Sequence, residues 1–318
     1  MSISKLSGVS YSSINKISGV AKSGLAKVKG VTVPSSFANT KSLFTDGVND
    51  FFDISLSSDI IPRAQGSVSC WVNIDSSNTS SKVFWTIFDS SELTKGRMDL
   101  IYFNTSGSNV FGLVGLYREI SMSGSFGSRQ CAAKTAASHH GAPFNRIASD
   151  YGSFGSASDS IYNANDMKGN WHHVVLTWDT SDTYTYSGTT YTGVMKMYFD
   201  GALVNYGQST VASHNGTGSA GGLTVVASDV VFDTIRIGAN RNGSQAMDLL
   251  TDEWALFDKV LSASEVTNIY NSGAPGDLSG ESDLIGWWRF EDNTDDSSSN
   301  SNSGTLTNGA TYNASVPS

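Results

Sequence analysis

The chain has 318 residues, of which 39% are hydrophobic and only 15% are charged, with a formal net charge of −9 at pH 7. With 32 glycines and 5 prolines, this composition predicts many short strands joined by turns rather than a helical protein. The acidic balance excludes nucleic acid as a partner, and no apolar run reaches the roughly 18 residues that a membrane span needs.

The charge is unevenly distributed along the chain. Residues 1–45 contain 6 lysines and no acid, which leaves 14 basic and 29 acidic residues, a formal charge of −15, for the remainder. The basic segment repeats with a period of 11 residues: Ile3–Val9 (ISKLSGV) recurs as Ile14–Val20 (INKISGV) and, more loosely, as Leu25–Val31 (LAKVKGV). Lys, Ser and Gly interrupt it throughout, so we expect no cleavable signal peptide.

Each repeat unit is too short to bury its own apolar side chains, which therefore need an external surface to pack on. We predict that residues 1–36 form a docking arm that becomes ordered against an acidic partner subunit; the alternative is a flexible tail. Three near-identical units also favour several equivalent docking sites or a symmetric homo-oligomer. The expected docking residues are the apolar positions Leu6, Val9, Ile17, Val20, Val28 and Val31.

The body, residues 37–318, begins with strand patterns separated by turn residues. Alternating or continuous apolar runs predict strands within the following segments: 43–54 around an Asp-Gly turn, 68–74, 82–88, 98–103 and 110–117. From about 119 to 168 the pattern dissolves into Gly, Ser, Ala and Asn with isolated aromatics. A loop of this length is unusual inside a compact domain, so we interpret it as an insertion and a plausible contact surface.

The strand pattern resumes after the insertion. Strands are predicted within residues 171–178, 194–199, 230–237, 251–257 and 284–290, and Asp200-Gly201 predicts a two-residue hairpin turn. One helix is predicted: Ser262 and Glu265 form a capping box, Leu261 and Val266 a hydrophobic staple, and Gly273 ends it. We expect the segment 284–290 to be a closing strand; the alternative is the remnant of a second unit.

Several short motifs follow one another in a characteristic order. They are Phe44-Thr45-Asp46-Gly47, the Trp71 strand, Trp171-His172-His173, Phe199-Asp200-Gly201, Ile235–Gly238, Asp252-Glu253-Trp254 and Leu261–Glu265. In this order they resemble the laminin-G-like branch of the concanavalin A-like lectin and glucanase family. The resemblance implies an all-β fold, a two-sheet antiparallel jelly-roll sandwich with one short helix. The repeats of the arm resemble the N-termini of structural proteins from marine tailed phages.

The residues do not support catalysis. The β-glucanase branch of the family uses a Glu-x-Asp-x-x-Glu strand, in which the carboxylates share one face. The nearest segment here, Asp248–Asp258, lacks that pattern, because Asp252 and Glu253 project to opposite faces of a regular strand. His172 and His173 also face opposite ways, and we expect each to be a structural histidine satisfied by hydrogen bonds. We predict that the chain is not an enzyme.

Calcium and glycans are the ligands that the resemblance implies. Jelly rolls of this family often bind one Ca²⁺ at a sheet end, which points to the Asp46–Asp50 turn, with Asp46 and Asp50 as ligands, and to Asp252. The alternative is that the turn residues only build the turn. Glycan binding needs exposed aromatic side chains, and the candidates near strand ends are Trp85, Tyr184, Tyr186 and Tyr191.

Together these observations predict a non-enzymatic virion structural protein: a capsid decoration, fibre or tail-associated protein made in the host cytoplasm. Its arm would dock on the particle, and its jelly roll would be displayed for host-surface glycans or neighbouring subunits. Two alternatives stay open. One is a free or surface-attached lectin, in which the arm is only a linker. The other is a glycan hydrolase with an unrecognised carboxylate pair.

Overall fold

A computed structural model describes most of the body and part of the arm. The described residues are 37–57, 60–80, 82–91, 93, 96–102, 113–118, 130–134, 168–186, 189–206, 208–210, 231–281 and 283–318, with the backbone of six short strands in the arm. Those six are β1 (Lys5–Leu6), β2 (Val9–Ser10), β3 (Lys16–Ile17), β4 (Val20–Ala21), β5 (Lys27–Val28) and β6 (Val31–Thr32).

The 11-residue repeat is also a structural repeat. Each unit forms one antiparallel pair of two-residue strands, in which Leu6 is opposite Val9, Ile17 opposite Val20, and Val28 opposite Val31. The same register recurs because Ser-Gly, Ser-Gly and Lys-Gly stand between the paired residues, the composition expected of a tight hairpin turn. A hairpin this small has little stability of its own in water.

The body contains 16 described strands. They are β7 (Ser42–Asp46), β8 (Phe51–Ser55), β9 (Gln65–Ile74), β10 (Lys82–Phe88), β11 (Arg97–Tyr102), β12 (Leu113–Arg118), β13 (Gln130–Lys134), β14 (His172–Tyr186), β15 (Thr189–Phe199), β16 (Ala202–Tyr206), β17 (Gln208–Thr210), β18 (Thr234–Ile237), β19 (Asp248–Phe257), β20 (Leu284–Trp288), β21 (Thr305–Thr307) and β22 (Thr311–Asn313). All of their ladders are antiparallel.

The strands form two eight-stranded sheets, and the predicted jelly-roll sandwich is confirmed. Sheet I has the order β16-β15-β14-β9-β19-β7-β22, with β20 paired to β19, and sheet II has the order β17-β13-β12-β11-β10-β18-β8-β21. The predicted closing strand is also confirmed: β20 and β22 join sheet I while β21 joins sheet II. Of the predicted insertion, only β13 and Lys168 lie within the described residues.

The main core lies between the two sheets. Alternation along each strand sends Val68, Cys70 and Val72 of sheet I, and Ile87, Met98 and Leu100 of sheet II, into one cluster of buried side chains. Aromatic rings fill its centre: Trp254 meets Trp85 edge to face, with ring centroids 6.1 Å apart, and Trp288 at 5.5 Å. Burial raises the pKa of the Cys70 thiol to about 12, so this cysteine acts as a core side chain.

The outer face of sheet I carries the α-helix of the described residues. Helix α1 (Ala263–Tyr270) has the predicted capping box between Ser262 and Glu265, and its Val266 and Ile269 pack on this face. The helix ends earlier than predicted, at Asn271, whose left-handed conformation (φ 48°) provides the cap assigned from sequence to Gly273. In the part of the chain that the structure describes, no helix is both long and apolar enough to cross a membrane.

Candidate ligand-binding face

The outer face of sheet II carries a row of polar side chains. Asp53 of β8, Arg236 of β18, Thr86 of β10 and Asp99 of β11 are direct cross-strand neighbours. They lie outside the core because residues on either side of them, such as Ile235 and Ile237, point inward. We call these four residues the polar row.

Arg236 is the best-anchored member of the polar row. Its Nε and Nη2 donate hydrogen bonds of 2.8 and 2.7 Å to the two carboxylate oxygens of Asp53. Its guanidinium also lies 3.9 Å from the centre of the Phe51 ring. Such a bidentate and stacked arrangement fixes the planar guanidinium, so this part of the face is rigid.

A polar loop between β18 and β19 borders the row. Arg236 Nη1 donates to the carbonyl oxygens of Asn240 and Arg241, at 3.4 and 3.1 Å, which holds the loop against the sheet. Inside the loop, Asn240 Nδ2 donates to Ser244 Oγ and Gln245 Oε1. Asn242, Ser244 and Gln245 are exposed, and their amide and hydroxyl groups are the kind that hydrogen-bond sugar hydroxyls.

The other half of the face is buried. Thr86, Asp99 and Arg97 are 0%, 2% and 8% exposed. Arg97 Nε donates to Asp99 Oδ2 at 2.7 Å, and the two residues share a face because they are two positions apart on β11. Arg241 donates from Nε to the carbonyl oxygen of Leu93. Burial lowers the pKa of Arg241, and nearby Arg97 lowers it further.

Of the four predicted glycan-binding aromatic side chains, the structure describes only that of Trp85. The prediction for Trp85 is wrong: its side chain is 1% exposed and packs on Trp254 in the core. Trp85 lies two positions before Ile87 on β10 and pairs with the inward-pointing Ile237, so strand alternation sends its indole into the core. Tyr184 and Tyr191 are opposite each other on β14 and β15, and Tyr186 faces Thr189. The side chains of these three tyrosines lie outside the described residues.

The predicted calcium ligands are not all brought together. Asp46 and Asp50 are neighbours, since the Asp46 amide donates to Asp50 Oδ2 at 3.3 Å, but Asp248, not Asp252, is opposite Asp46. Asp252 is four residues further along β19, about 13 Å at roughly 3.3 Å per residue. The set Asp46, Asp50 and Asp252 is therefore wrong as a single site. Among the residues described by the structure, no group of three or more His, Cys, Asp or Glu side chains is arranged to hold a metal.

Asp252 instead belongs to a buried carboxylate pair. A bulge in β19 gives Glu253 a positive φ of 49°, and the two acids are 0% and 3% exposed. Asn39 Nδ2 donates to Asp252, while Trp287 Nε1 and Arg289 Nε donate to Glu253 at 2.6 and 3.2 Å. Burial, and secondarily Glu253, raises the pKa of Asp252 well above its usual value. Enclosed and internally bonded, these acids are not placed to act on a glycosidic bond.

Each of the two adjacent histidines has one ring hydrogen bond, as expected, but the other ring nitrogen of each, His172 Nε2 and His173 Nδ1, is buried without a partner among the described residues. His172 Nδ1 and Asp200 Oδ2 are 2.8 Å apart, and His173 Nε2 is 2.8 Å from Ser69 Oγ. Asp200 accepts a hydrogen bond from the backbone amide of His173, not from its ring, so Ser69, His173 and Asp200 do not form a catalytic triad. Burial lowers the pKa of His173 to about 3, which keeps its ring neutral at physiological pH.

The polar row itself was not predicted from sequence. Asp53 and Arg236 each interrupt an apolar strand at a position that alternation sends outward, which is the signal that could have found them. Their pairing depends on two strands about 180 residues apart, and no local pattern reports it.

Comparison with known proteins adds fold likeness only. No protein-family model matches the chain, and no curated protein does. Among solved structures, a native heptameric SAP-like pentraxin from Limulus polyphemus has a TM-score of 0.45 at 11% identity, covering 87% of this chain and 95% of that one. A putative carbohydrate binding protein from Bacteroides ovatus has a TM-score of 0.47 at 12% identity, covering 92% of this chain and 66% of that one.

The binding domain of botulinum neurotoxin serotype D has a TM-score of 0.37 at 16% identity, covering 72% of this chain and 41% of that chain. At these identities and TM-scores, the similarities do not indicate what this chain binds.

Proposed function

We propose that the chain is a non-enzymatic recognition protein whose sandwich binds glycans through the outer face of sheet II. The observation that carries this proposal is the polar row with its bordering loop. This face combines the Arg236–Asp53 ion pair, the stacking of Arg236 on Phe51 and an exposed loop with amide side chains. A face that only contacts solvent does not require such an arrangement. Pre-ordered polar groups suit sugar recognition, because they bind hydroxyls without first losing side-chain freedom.

A glycan screen with the full chain tests the proposal. We expect binding to at least one cell-surface polysaccharide, and a loss of affinity on Asn242→Ala in the exposed loop. Asn268→Ala is the matched control, since Asn268 is an exposed asparagine on α1, over the opposite sheet. Binding that is lost equally in both variants, or no binding at all, would contradict the proposed face. Release of reducing sugar would instead favour the hydrolase alternative.

We also propose that the arm attaches the protein to a larger assembly, and that this assembly is a virion. Three strand pairs of identical register begin at the repeated lysines Lys5, Lys16 and Lys27, and the rest of the chain has a formal charge of −15. Because hairpins this small are marginal alone, docking on an acidic partner would stabilise them. The apolar pairs, Leu6 with Val9 and their repeats, are the proposed contacts.

Cryo-electron microscopy of the native assembly tests the docking. Density that joins residues 3–33 to a neighbouring subunit is the expected result, and it would also give the copy number. Deleting residues 1–36 should abolish attachment to the particle while leaving glycan binding unchanged. If the deletion leaves attachment intact, the arm is only a linker, and the free-lectin alternative is the better description.

A further inference from the structure

Among the described residues, two arginines at the outer face of sheet II share a single acid. Among the residues that the structure describes, Arg236 is neutralised by the carboxylate of Asp53, and Asp99 is the acid near both Arg97 and Arg241. These five side chains therefore carry a formal charge of +1, and two of them, Arg97 and Asp99, are buried. Burying an uncompensated charge is costly, and the lowered pKa of Arg241, caused by burial and then by Arg97, reports that cost.

Two polar atoms in the same place have no hydrogen-bond partner. The Nη1 of Arg97 and the Oγ1 of Thr86 are both buried and unpaired. The register puts Thr86 opposite Asp99, two positions from Arg97 on the same face of β11, so the two atoms belong to one patch. A guanidinium nitrogen can only donate, whereas a hydroxyl can donate or accept, so an added acceptor could receive a hydrogen bond from each of them.

We propose that Arg97, Arg241 and Thr86 bind an anionic substituent of a glycan, a sulfate ester or a carboxylate. This inference rests on the proposed glycan-binding function and names the class of sugar. Such a group supplies both missing elements, an acceptor for the two unpaired donors and a charge that balances the second arginine. Arg241 is only half-buried, so the patch has an edge toward solvent and toward the exposed loop residues Asn242 and Ser244.

The overall charge limits which anionic glycans fit. Outside the basic N-terminal segment the chain has a formal charge of −15, which disfavours a densely charged polyanion. A glycan with isolated charged groups on a neutral backbone meets less repulsion and still fills the patch. Among acidic sugars, the site therefore favours lightly substituted ones.

The test compares matched oligosaccharides by isothermal titration with the full chain. One pair is an oligogalacturonan and its methyl ester; the other is a κ-carrageenan oligosaccharide and its desulfated form. We expect at least one charged form to bind about 10- to 100-fold more tightly than its neutral counterpart, the range for a charge-assisted hydrogen bond. The carboxylated and sulfated pairs together show which anion is preferred.

Three variants locate the effect. Arg97→Gln and Arg241→Gln should each remove most of the preference for the charged form. Thr86→Val is the variant least expected to disturb folding, because the Thr86 hydroxyl has no hydrogen-bond partner to lose among the described residues. We expect an unchanged Tm with about a 2- to 10-fold loss of affinity. Lys196→Gln on sheet I removes the same charge at a distance and should leave affinity unchanged.

The outcomes separate the two proposals. Equal affinity for charged and neutral forms, unaffected by Arg97→Gln and Thr86→Val, overturns the anion site but leaves glycan binding in place. Equal losses in the Lys196→Gln control would show a general charge effect and also overturn it. If no glycan binds in the screen or in the titrations, the proposed function fails, and the anion site fails with it.

Discussion

Phe37 lies flat against Trp287, with ring centroids 6.1 Å apart and planes inclined by 10°. The guanidinium of Arg289 lies 4.3 Å from the centre of the Phe37 ring and also donates to the carbonyl oxygen of Ala38. The Thr40 amide donates to Glu291 at 2.8 Å. Phe37 directly follows the arm, so this contact fixes the point at which the arm leaves the body.

Replacing Phe37 with alanine should release this segment without unfolding the sandwich. Stacking and cation–π contacts of this kind contribute about 1 kcal/mol, which corresponds to roughly fivefold faster local opening. Hydrogen exchange of residues 38–41 measures the effect, while Tm should change little. Val48→Ala is the control, since Val48 is 75% exposed and lies in the turn between β7 and β8, outside the stack. Unchanged exchange in Phe37→Ala would show that the polar contacts alone hold the segment.

The buried carboxylates should make stability depend on pH. Burial raises the pKa of Glu253 from 4.5 to about 8, although Arg289 and Trp287 act in the opposite direction. The folded state therefore binds a proton that the unfolded state releases between pH 4.5 and about 8, and stability falls as pH rises through that window. One such proton gives a slope of at most about 1.4 kcal/mol per pH unit.

Urea unfolding of Glu253→Gln at several pH values checks this assignment. We expect the variant to lose less stability than the parent between pH 5 and 8. Glu265→Gln is the matched control, because hydrogen bonds from Lys259 and Ser262 lower the pKa of Glu265 to about 2, outside the window. The assignment is wrong if both variants keep the slope of the parent protein.

The fold follows from patterns that the sequence displays locally. The inward alternation around Cys70, the Asp200-Gly201 turn with positive φ at both residues, and the Ser262–Glu265 capping box all appear as predicted. Each of these elements depends on residues only a few positions apart, so the amino-acid sequence is sufficient to predict it. These elements, taken in sequence, determined the two-sheet architecture.

The site did not follow in the same way. Trp85 was assigned to a strand end, whereas it lies in the middle of β10 and shares the inward face of Ile87. Asp252 was assigned to a metal by resemblance, whereas its surroundings are set by Asn39, 213 positions away. Such long-range pairs determine a site, and local periodicity cannot report them.

Calcium at the Asp46–Asp50 turn stays a prediction with a clear test. Burial raises the pKa of Asp50, with a contribution from Asp46, and burial likewise raises the pKa of Asp248. The Oδ1 of Asp50 is buried without a partner. A bound cation would relieve this repulsion and use hard oxygen ligands, so we expect Ca²⁺ to raise the Tm of the parent protein.

The control for calcium is a second aspartate. At matched ionic strength, the shift should disappear in Asp50→Asn and persist in Asp277→Asn, which removes an exposed carboxylate from a different loop. The Tm shift should also become smaller as pH falls, because protons compete with the cation for Asp50 and Asp248, whose pKa values are raised. No shift in the parent protein, or an equal shift in Asp50→Asn, would show that these acids only build the turn.

Gly201 tests how closely the helix packs on the β15–β16 hairpin. Its φ is +79°, and a Cβ there would lie 2.6 Å from Cδ1 of Tyr270, in the last turn of α1. Gly169 has a similar φ of +74° but nothing within 4 Å, so it shares the backbone strain without the clash. We expect Gly169→Ala to cost about 1–2 kcal/mol and Gly201→Ala a further 1–3 kcal/mol from overpacking. Equal losses of unfolding free energy in urea would mean that the Tyr270 ring moves aside, and that α1 is held by its buried Val266 and Ile269 instead.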